Sequence, residues 1–248
     1  MIIVKSPEEI TIMRQSGKIL AAILNRLREE IRSGIKTRYL DEIAAEELRD
    51  RKVKSSFKNY QGFPANLCIS VNNEVVHGIP GERVLKEGDI VSLDAGVIFD
   101  GFHSDSAITV GVGEITQQAK ELIMVTEESL KAAIAQARPG AHVGDISAVI
   151  QNYVESRGFS VIREYTGHGI GRELHEEPQI PNFAFGKGPQ LRKGMTLAVE
   201  PMVNAGDWHT KLAPNRWTVL TADGSLSAHF EHTIAISNNG GEVLTEYD

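Results

Sequence analysis

The 248-residue chain has a single cysteine, Cys68, so no internal disulfide can form and a small disulfide-stapled scaffold is excluded. Long apolar runs are missing as well. The chain opens Met1-Ile2-Ile3-Val4, but Glu8, Glu9, Arg14 and Lys18 interrupt at once, and no stretch approaches the ~20 residues of a membrane span. Nothing has the pattern of a signal peptide. These absences predict a soluble, cytoplasmic protein without a membrane partner. Several catalytic signatures are also lacking. There is no Gly-x-Ser-x-Gly elbow, no His-Glu-x-x-His pair, and no Gly-Lys-Ser/Thr ending to a glycine-rich loop. Cys68 lies in an apolar strand pattern and reads as core rather than as a nucleophile.

Aromatics are sparse at 6%, while 41% hydrophobic and 24% charged residues are ordinary for a globular protein. The length fits one large domain or two tightly joined ones. Net charge is −7 but uneven. Residues 1–58 carry 13 Lys/Arg against 9 Asp/Glu, and the remainder carries 13 against 24. The acidic body disfavours DNA as a partner and is suited to gathering carboxylates around cations.

Ser6-Pro7-Glu8-Glu9 predicts a helix start: an N-cap serine, proline in the first turn, then acids at the positive dipole end. A second helix is expected from Thr37 to Asp50, with 51–66 as a loop. Strands are expected at Leu67–Val71, Ile90–Ile98 and Phe102–Val110, then helices at 116–136 and 142–157. Further strands are expected at 160–165, 195–203 and 228–236. Residues 171–193 read as a long surface connection.

Some of these elements recur. Leu85-Lys86-Glu87-Gly88-Asp89-Ile90-Val91-Ser92-Leu93-Asp94 aligns with Leu191-Arg192-Lys193-Gly194-Met195-Thr196-Leu197-Ala198-Val199-Glu200 at an offset of 106. Arg32-Ser33-Gly34 aligns with Arg138-Pro139-Gly140 at the same offset, and His103–Ile108 with His229–Ile234 at 126. The order helix, helix, strands occurs twice. This predicts one α+β domain over 1–248 made of two similar halves, about 1–112 and 113–248, facing each other across a pseudo-twofold axis. Asp94 would then converge with Glu200, and Asp105 with Glu231.

Asp100-Gly101 is a two-residue hairpin signal. Such a turn pairs 99 with 102, 96 with 105 and 94 with 107. Asp94 and Asp105 then share a face as diagonal neighbours, roughly 7–8 Å apart at Cα. Glu200 ends an apolar strand, and Glu231 sits between His229 and His232. Carboxylates in hydrophobic strands are costly unless paired or metal-bound. His168 stands between glycines in Gly167-His168-Gly169-Ile170-Gly171, which allow close backbone approach and unusual dihedrals. Two Asp, two Glu and one His suit hard or borderline ions such as Mn, Fe or Co. Two such ions carry the +4 that four carboxylates neutralise. They can lower the pKa of a bridging water to near neutrality, so hydrolysis of an amide or ester is the expected chemistry.

Asn73-Glu74-Val75-Val76-His77-Gly78-Ile79-Pro80, Leu93-Asp94-Ala95-Gly96, Gly167–Pro178, Val199-Glu200-Pro201 and Phe230-Glu231-His232-Thr233 together make the chain resemble the type I methionine aminopeptidases over essentially its full length. The resemblance implies the pita-bread fold and two divalent ions (Co, Mn or Fe, with Zn as an alternative) bound by Asp94, Asp105, His168, Glu200 and Glu231. It implies removal of the initiator methionine from nascent chains with a small second residue, a metal-bound hydroxide attacking the scissile amide. His77 would contact the substrate near that amide. His175 would hydrogen-bond its carbonyl, and Glu200 would double as proton shuttle. Phe57, Tyr60, Phe63, Cys68, Leu174 and Trp217 match the methionine pocket.

Phe57, Leu174 and His229 depart from the usual pattern, where Cys, Phe and Gln are common. They bear on pocket shape and metal preference rather than on reaction class. The resemblance implies a monomer of the compact bacterial form, without an N-terminal zinc-finger extension. The basic N-terminal portion, including Arg49-Asp50-Arg51-Lys52-Val53-Lys54, suggests an electrostatic contact with the ribosome. A prolidase or Xaa-Pro aminopeptidase on the same fold, and a peptide-binding module that has lost its metals, are the alternatives.

Overall fold

The first helix begins where its cap is written. In the computed structural model, which describes residues 1–246, Ser6 Oγ accepts from the Glu9 amide and the Glu9 carboxylate accepts from the Ser6 amide, 3.0 Å away. This capping box opens α1, Pro7–Glu30. Met13, Leu20, Leu24 and Leu27 form a fully buried stripe along it. α2 covers Thr37–Asp50, α3 Gln117–Gln136 and α4 Val143–Glu155, each within two residues of its expected bounds. No helix among the described residues is long and apolar enough to cross a membrane.

A nine-stranded antiparallel sheet carries the rest of the architecture. Four of its strands run side by side in the order Ile90–Phe99, Phe102–Gly111, Glu231–Ser237, Thr196–Val199. This order is palindromic with respect to the sequence repeat. The two strands of the first half stand next to those of the second, with the outer pair and the inner pair each repeat-related. α1 packs against the Ile90–Phe99 and Phe102–Gly111 strands, and α3 pairs with α4 as α1 does with α2. The apolar faces of all four helices join one core with Leu93, Ile108, Leu197 and Ile234 of the sheet. Burying each such side chain contributes about 1.5–3 kcal/mol.

The hairpin has its expected register: Phe99 opposite Phe102, Gly96 opposite Asp105, Asp94 opposite Ala107. Asp100 and Gly101 both have positive φ, 48° and 77°, as a two-residue turn of this twist requires.

Several expectations need correction, beginning with the 51–66 loop, which contains a short edge strand at Lys54–Ser55. The strand expected over 160–165 is confined to Ser160–Val161. The strands expected over 195–203 and 228–236 are each broken, into Thr196–Val199 with Met202–Asn204 and Ser227–His229 with Glu231–Ser237. The two breaks face each other. Pro201 has no amide to donate to a ladder, while its carbonyl accepts from the Phe230 amide at 3.3 Å. Beyond this corner the same two segments pair again in a separate three-stranded sheet. Finally, 171–193 is no mere surface connection. It contains the Glu176–Pro181 strand, paired with a Thr166–Gly169 strand that the glycine-rich string concealed.

Candidate metal centre

Sheet register alone assembles the acidic cluster. Asp94 is opposite Ala107, and Ala107 is opposite Glu231. His232 pairs with Val199, so the next step of that ladder faces Glu231 toward Glu200. His168 is opposite Ala198, which is opposite Thr233. Because side chains alternate along strands, Asp94, Asp105, Glu231, Glu200 and His168 emerge on one face, away from the helices.

One ligand atom each from Asp105, His168 and Glu231 lies within 4.8 Å of the others. His168 Nε2 lies 3.4 Å from Glu200 Oε1. Asp94 sits opposite Cys68 in the neighbouring strand. Asp105 is braced on its backbone: Thr233 Oγ1 accepts from its amide at 2.9 Å and donates to its carbonyl at 2.8 Å. The Ser106 amide donates to Asp105 Oδ1, and Ser106 Oγ to the Glu231 carbonyl.

Gly167 and Gly169 have ordinary φ angles, so the unusual dihedrals expected beside His168 do not occur. Close approach is their reason. A Cβ on Gly167 would meet the Ala198 carbonyl oxygen at 2.5 Å, and one on Gly169 the Glu177 oxygen at 2.2 Å.

Burial sets the charge state. Asp94 is pushed up to about 7 by burial. Asp105, Glu200 and Glu231 are raised well above the ordinary carboxylate range, first by burial and then by neighbouring acids, Asp94 among them in each case. His168 is lowered to about 3, again by burial, so its ring is neutral. Its Nδ1–H donates to the Gly169 carbonyl at 2.8 Å, which leaves a lone pair on Nε2 facing the acids. Asp94 Oδ1 and Glu231 Oε1 are buried without any hydrogen-bond partner. Such orphaned oxygens, in an acid cluster beside a lone-pair imidazole, are what divalent cations satisfy. The donor set therefore fits the expected pair of ions.

The cluster forms the floor of a cavity of about 180 Å³. All thirteen residues singled out from the sequence line it, and Gln61, which the sequence reading missed, completes the wall. Phe63 and Trp217 meet edge to face at 5.3 Å. Gly96 leaves room for its neighbours across the strand; a Cβ there would lie 2.8 Å from Ser56 Cβ and 3.0 Å from the Phe57 ring. Leu174 and Cys68 are buried in the same apolar cluster. His175 Nδ1 is 2.7 Å from Tyr60 Oη, and its ring stands 4.3 Å from that of His168. His77 has φ of 58°, uncommon for a non-glycine residue, and burial lowers it to about 4. Its ring lies edge-on to Tyr165 at 6.1 Å, and Tyr165 too escaped the sequence reading.

Comparison with known proteins agrees with this geometry. The model of metallopeptidase family M24 matches residues 11–238. The chain is 54% identical to a methionine aminopeptidase of Clostridium perfringens and 51% identical to methionine aminopeptidase 1 of Bacillus subtilis, each over 99% of both chains. It superposes with a TM-score of 0.98 on the crystal structure of methionine aminopeptidase from Thermotoga maritima, at 50% identity, covering 99% of this chain and 100% of that one. A prolidase from Pyrococcus horikoshii shares the fold at TM-score 0.80 and 24% identity, and this chain covers 64% of it. The antiparallel sheet with two related halves and four helices is thus the pita-bread fold, and the chain belongs to metallopeptidase family M24.

Proposed function

We propose that this protein hydrolytically removes the N-terminal methionine from nascent polypeptides whose second residue is small. One observation carries the reading. A cavity of about 180 Å³, walled by Phe57, Tyr60, Phe63, Cys68, Leu174 and Trp217, ends on a cluster of four acids and a neutral imidazole. Asp94, Asp105, His168, Glu200 and Glu231 would hold two divalent ions. When bound, these ions supply Lewis-acid polarisation of the scissile carbonyl and a water of lowered pKa.

The remaining roles fall to the chain. The walls of Phe57, Tyr60, Phe63, Cys68, Leu174 and Trp217 offer soft apolar and aromatic contact to a thioether. Tyr60 Oη donating to His175 Nδ1 leaves the proton of the neutral ring on Nε2, free to donate to the carbonyl oxygen as negative charge develops there. Glu200, a carboxylate once a bound cation has replaced its proton, would accept the proton of the attacking water and pass it to the leaving amine. His77, held neutral by burial in the same cavity lining, would contact the substrate near the amide. Carboxylate-rich ligation suits manganese, iron or cobalt, with zinc as an alternative. The reading places the protein in the cytoplasm as a monomer, with the ribosome as an electrostatic partner.

Purified protein supplied with Mn(II), Fe(II) or Co(II) in turn should release methionine from Met-Gly-Met. It should leave an Xaa-Pro dipeptide intact. No release with any of the ions would favour a peptide-binding module, and preferential cleavage of Xaa-Pro would favour a prolidase. Ribosome co-sedimentation that ignores salt would remove the electrostatic contact.

A further inference from the structure

The strand corner that carries Glu200 and Glu231 also carries His229, a residue outside the cavity wall. Its side chain is 2% exposed, and neither ring nitrogen has a hydrogen-bond partner. Buried polar atoms are rarely left so. Nε2 lies 3.7 Å from Oε2 of Glu200 and 4.0 Å from Oε2 of Glu231, facing both carboxylates. Glu200 is therefore flanked by two imidazoles, with His168 on Oε1 and His229 on Oε2.

The two rings are not equivalent. His168 donates through Nδ1 to a carbonyl, which fixes its Nε2 as a lone pair, the usual arrangement of a metal-ligating histidine. His229 has no acceptor at Nδ1, so nothing holds its Nε2 as a lone pair. Two carboxylate oxygens facing Nε2 favour a proton there instead. A shift of well under an ångström would bring that proton into hydrogen-bond range of Glu200.

We infer that His229 is a positioning residue of the metal centre: a neutral imidazole, protonated on Nε2, that donates to the outer oxygens of Glu200 and Glu231 and is not a sixth ligand. The inference rests on the five-ligand reading and deepens it. A glutamine amide in this place would also carry an N–H, whereas alanine would not.

Titrating cobalt(II) alone into metal-free wild type, His229→Gln and His229→Ala by calorimetry tests it. The alanine variant should bind cobalt about 10- to 100-fold more weakly, and the glutamine variant should recover most of that loss. X-ray absorption of the cobalt-loaded wild type should count one imidazole in the centre. Nitrogen NMR of the zinc-loaded protein should find the His229 proton on Nε2. Alanine affinity within twofold of wild type, a second imidazole on cobalt, or a proton on Nδ1 alone would each overturn the inference. Should the alanine variant fail to fold, the two wild-type spectra still decide. A wild type that binds no cobalt overturns the five-ligand reading itself. Weakened cobalt binding without methionine release sinks only the proposed activity.

Discussion

The two halves present their acids differently. Asp94 and Asp105 stand mid-strand in a hairpin of two ten-residue strands with unbroken register. Glu200 and Glu231 stand at a corner, where Pro201 and Phe230 interrupt both strands and turn them into a second sheet. The repeat-matched histidines diverge in the same way. His103 Nδ1 meets Ser56 Oγ at 2.9 Å near the hairpin's turn, whereas His229 is buried behind the carboxylates. A ladder fixes the position of a ligand. A corner releases a side chain from the pleat and leaves room for neighbours on its outer side. A carboxylate that both holds a cation and passes a proton is better placed on the corner.

Breaking the ladder side should give the largest effect. Asp105→Asn removes a charge from a backbone that Thr233 keeps in place, so the fold should persist while turnover falls by about 10³-fold or more. Methionine release measured beside far-ultraviolet circular dichroism checks this, and near-normal turnover would refute the ligand assignment. On the cavity rim, His175→Ala should lower kcat by about 10²–10³ with little change in KM, since an oxyanion donor acts mainly in the transition state. A rise in KM alone would make His175 a binding residue only.

The segment carrying His175 has its own anchor. Lys5 Nζ and Glu176 Oε2 form an ion pair at 2.5 Å, with side chains only 3% and 5% exposed. Lys5→Met would strand the Glu176 charge in the interior, at a cost of about 3–5 kcal/mol. Chemical denaturation reads the loss, and a Lys5→Met, Glu176→Gln double variant should recover part of it. An unchanged midpoint in the single variant would show that the pair contributes little.

Much of this contrast was legible from residues alone. Asp100-Gly101 with alternating flanks determined the hairpin register, and that register placed Asp94 and Asp105 together. The offset of 106 pointed to Glu200. The corner was not legible, because 195–203 and 228–236 are apolar enough to read as continuous strands. Only the facing of Pro201 with Phe230, a contact between segments 29 residues apart, shows where both bend. Likewise no strand is expected at Gly167-His168-Gly169, since glycine is a poor strand former. The glycines themselves signal a close backbone approach, but its partners, the Ala198 and Glu177 carbonyls, are set by tertiary structure. The ion pair of Lys5 with Glu176 spans 171 residues and has no local signal. The thirteen cavity residues were named mainly through family resemblance; strand face and repeat arithmetic reached only the acids.

The smallest effect follows from titration and bears on both halves at once. The four acids ionise near pH 4 in an unfolded chain, roughly. In the folded, metal-free protein Asp94 holds its proton to about 7, and Asp105, Glu200 and Glu231 are raised in the same direction. The folded state therefore binds more protons than the unfolded one above ~4, and the acids' contribution to metal-free stability is lost as pH rises toward 7. The histidines oppose this. His77 and His168 are lowered to about 4 and about 3, so their contribution is lost as pH falls below ~6.5. Bound cations replace the acid protons, which removes the first dependence and keeps the second. The rise in thermal midpoint on adding manganese(II) should thus be larger at pH 7 than at pH 5, by several degrees, roughly. Calorimetric scans of metal-free and metal-loaded protein across that range check it. A gain that is flat or shrinks as pH rises would mean that the acids are already ionised without metal, and that their burial is less costly than the orphaned oxygens of Asp94 and Glu231 imply.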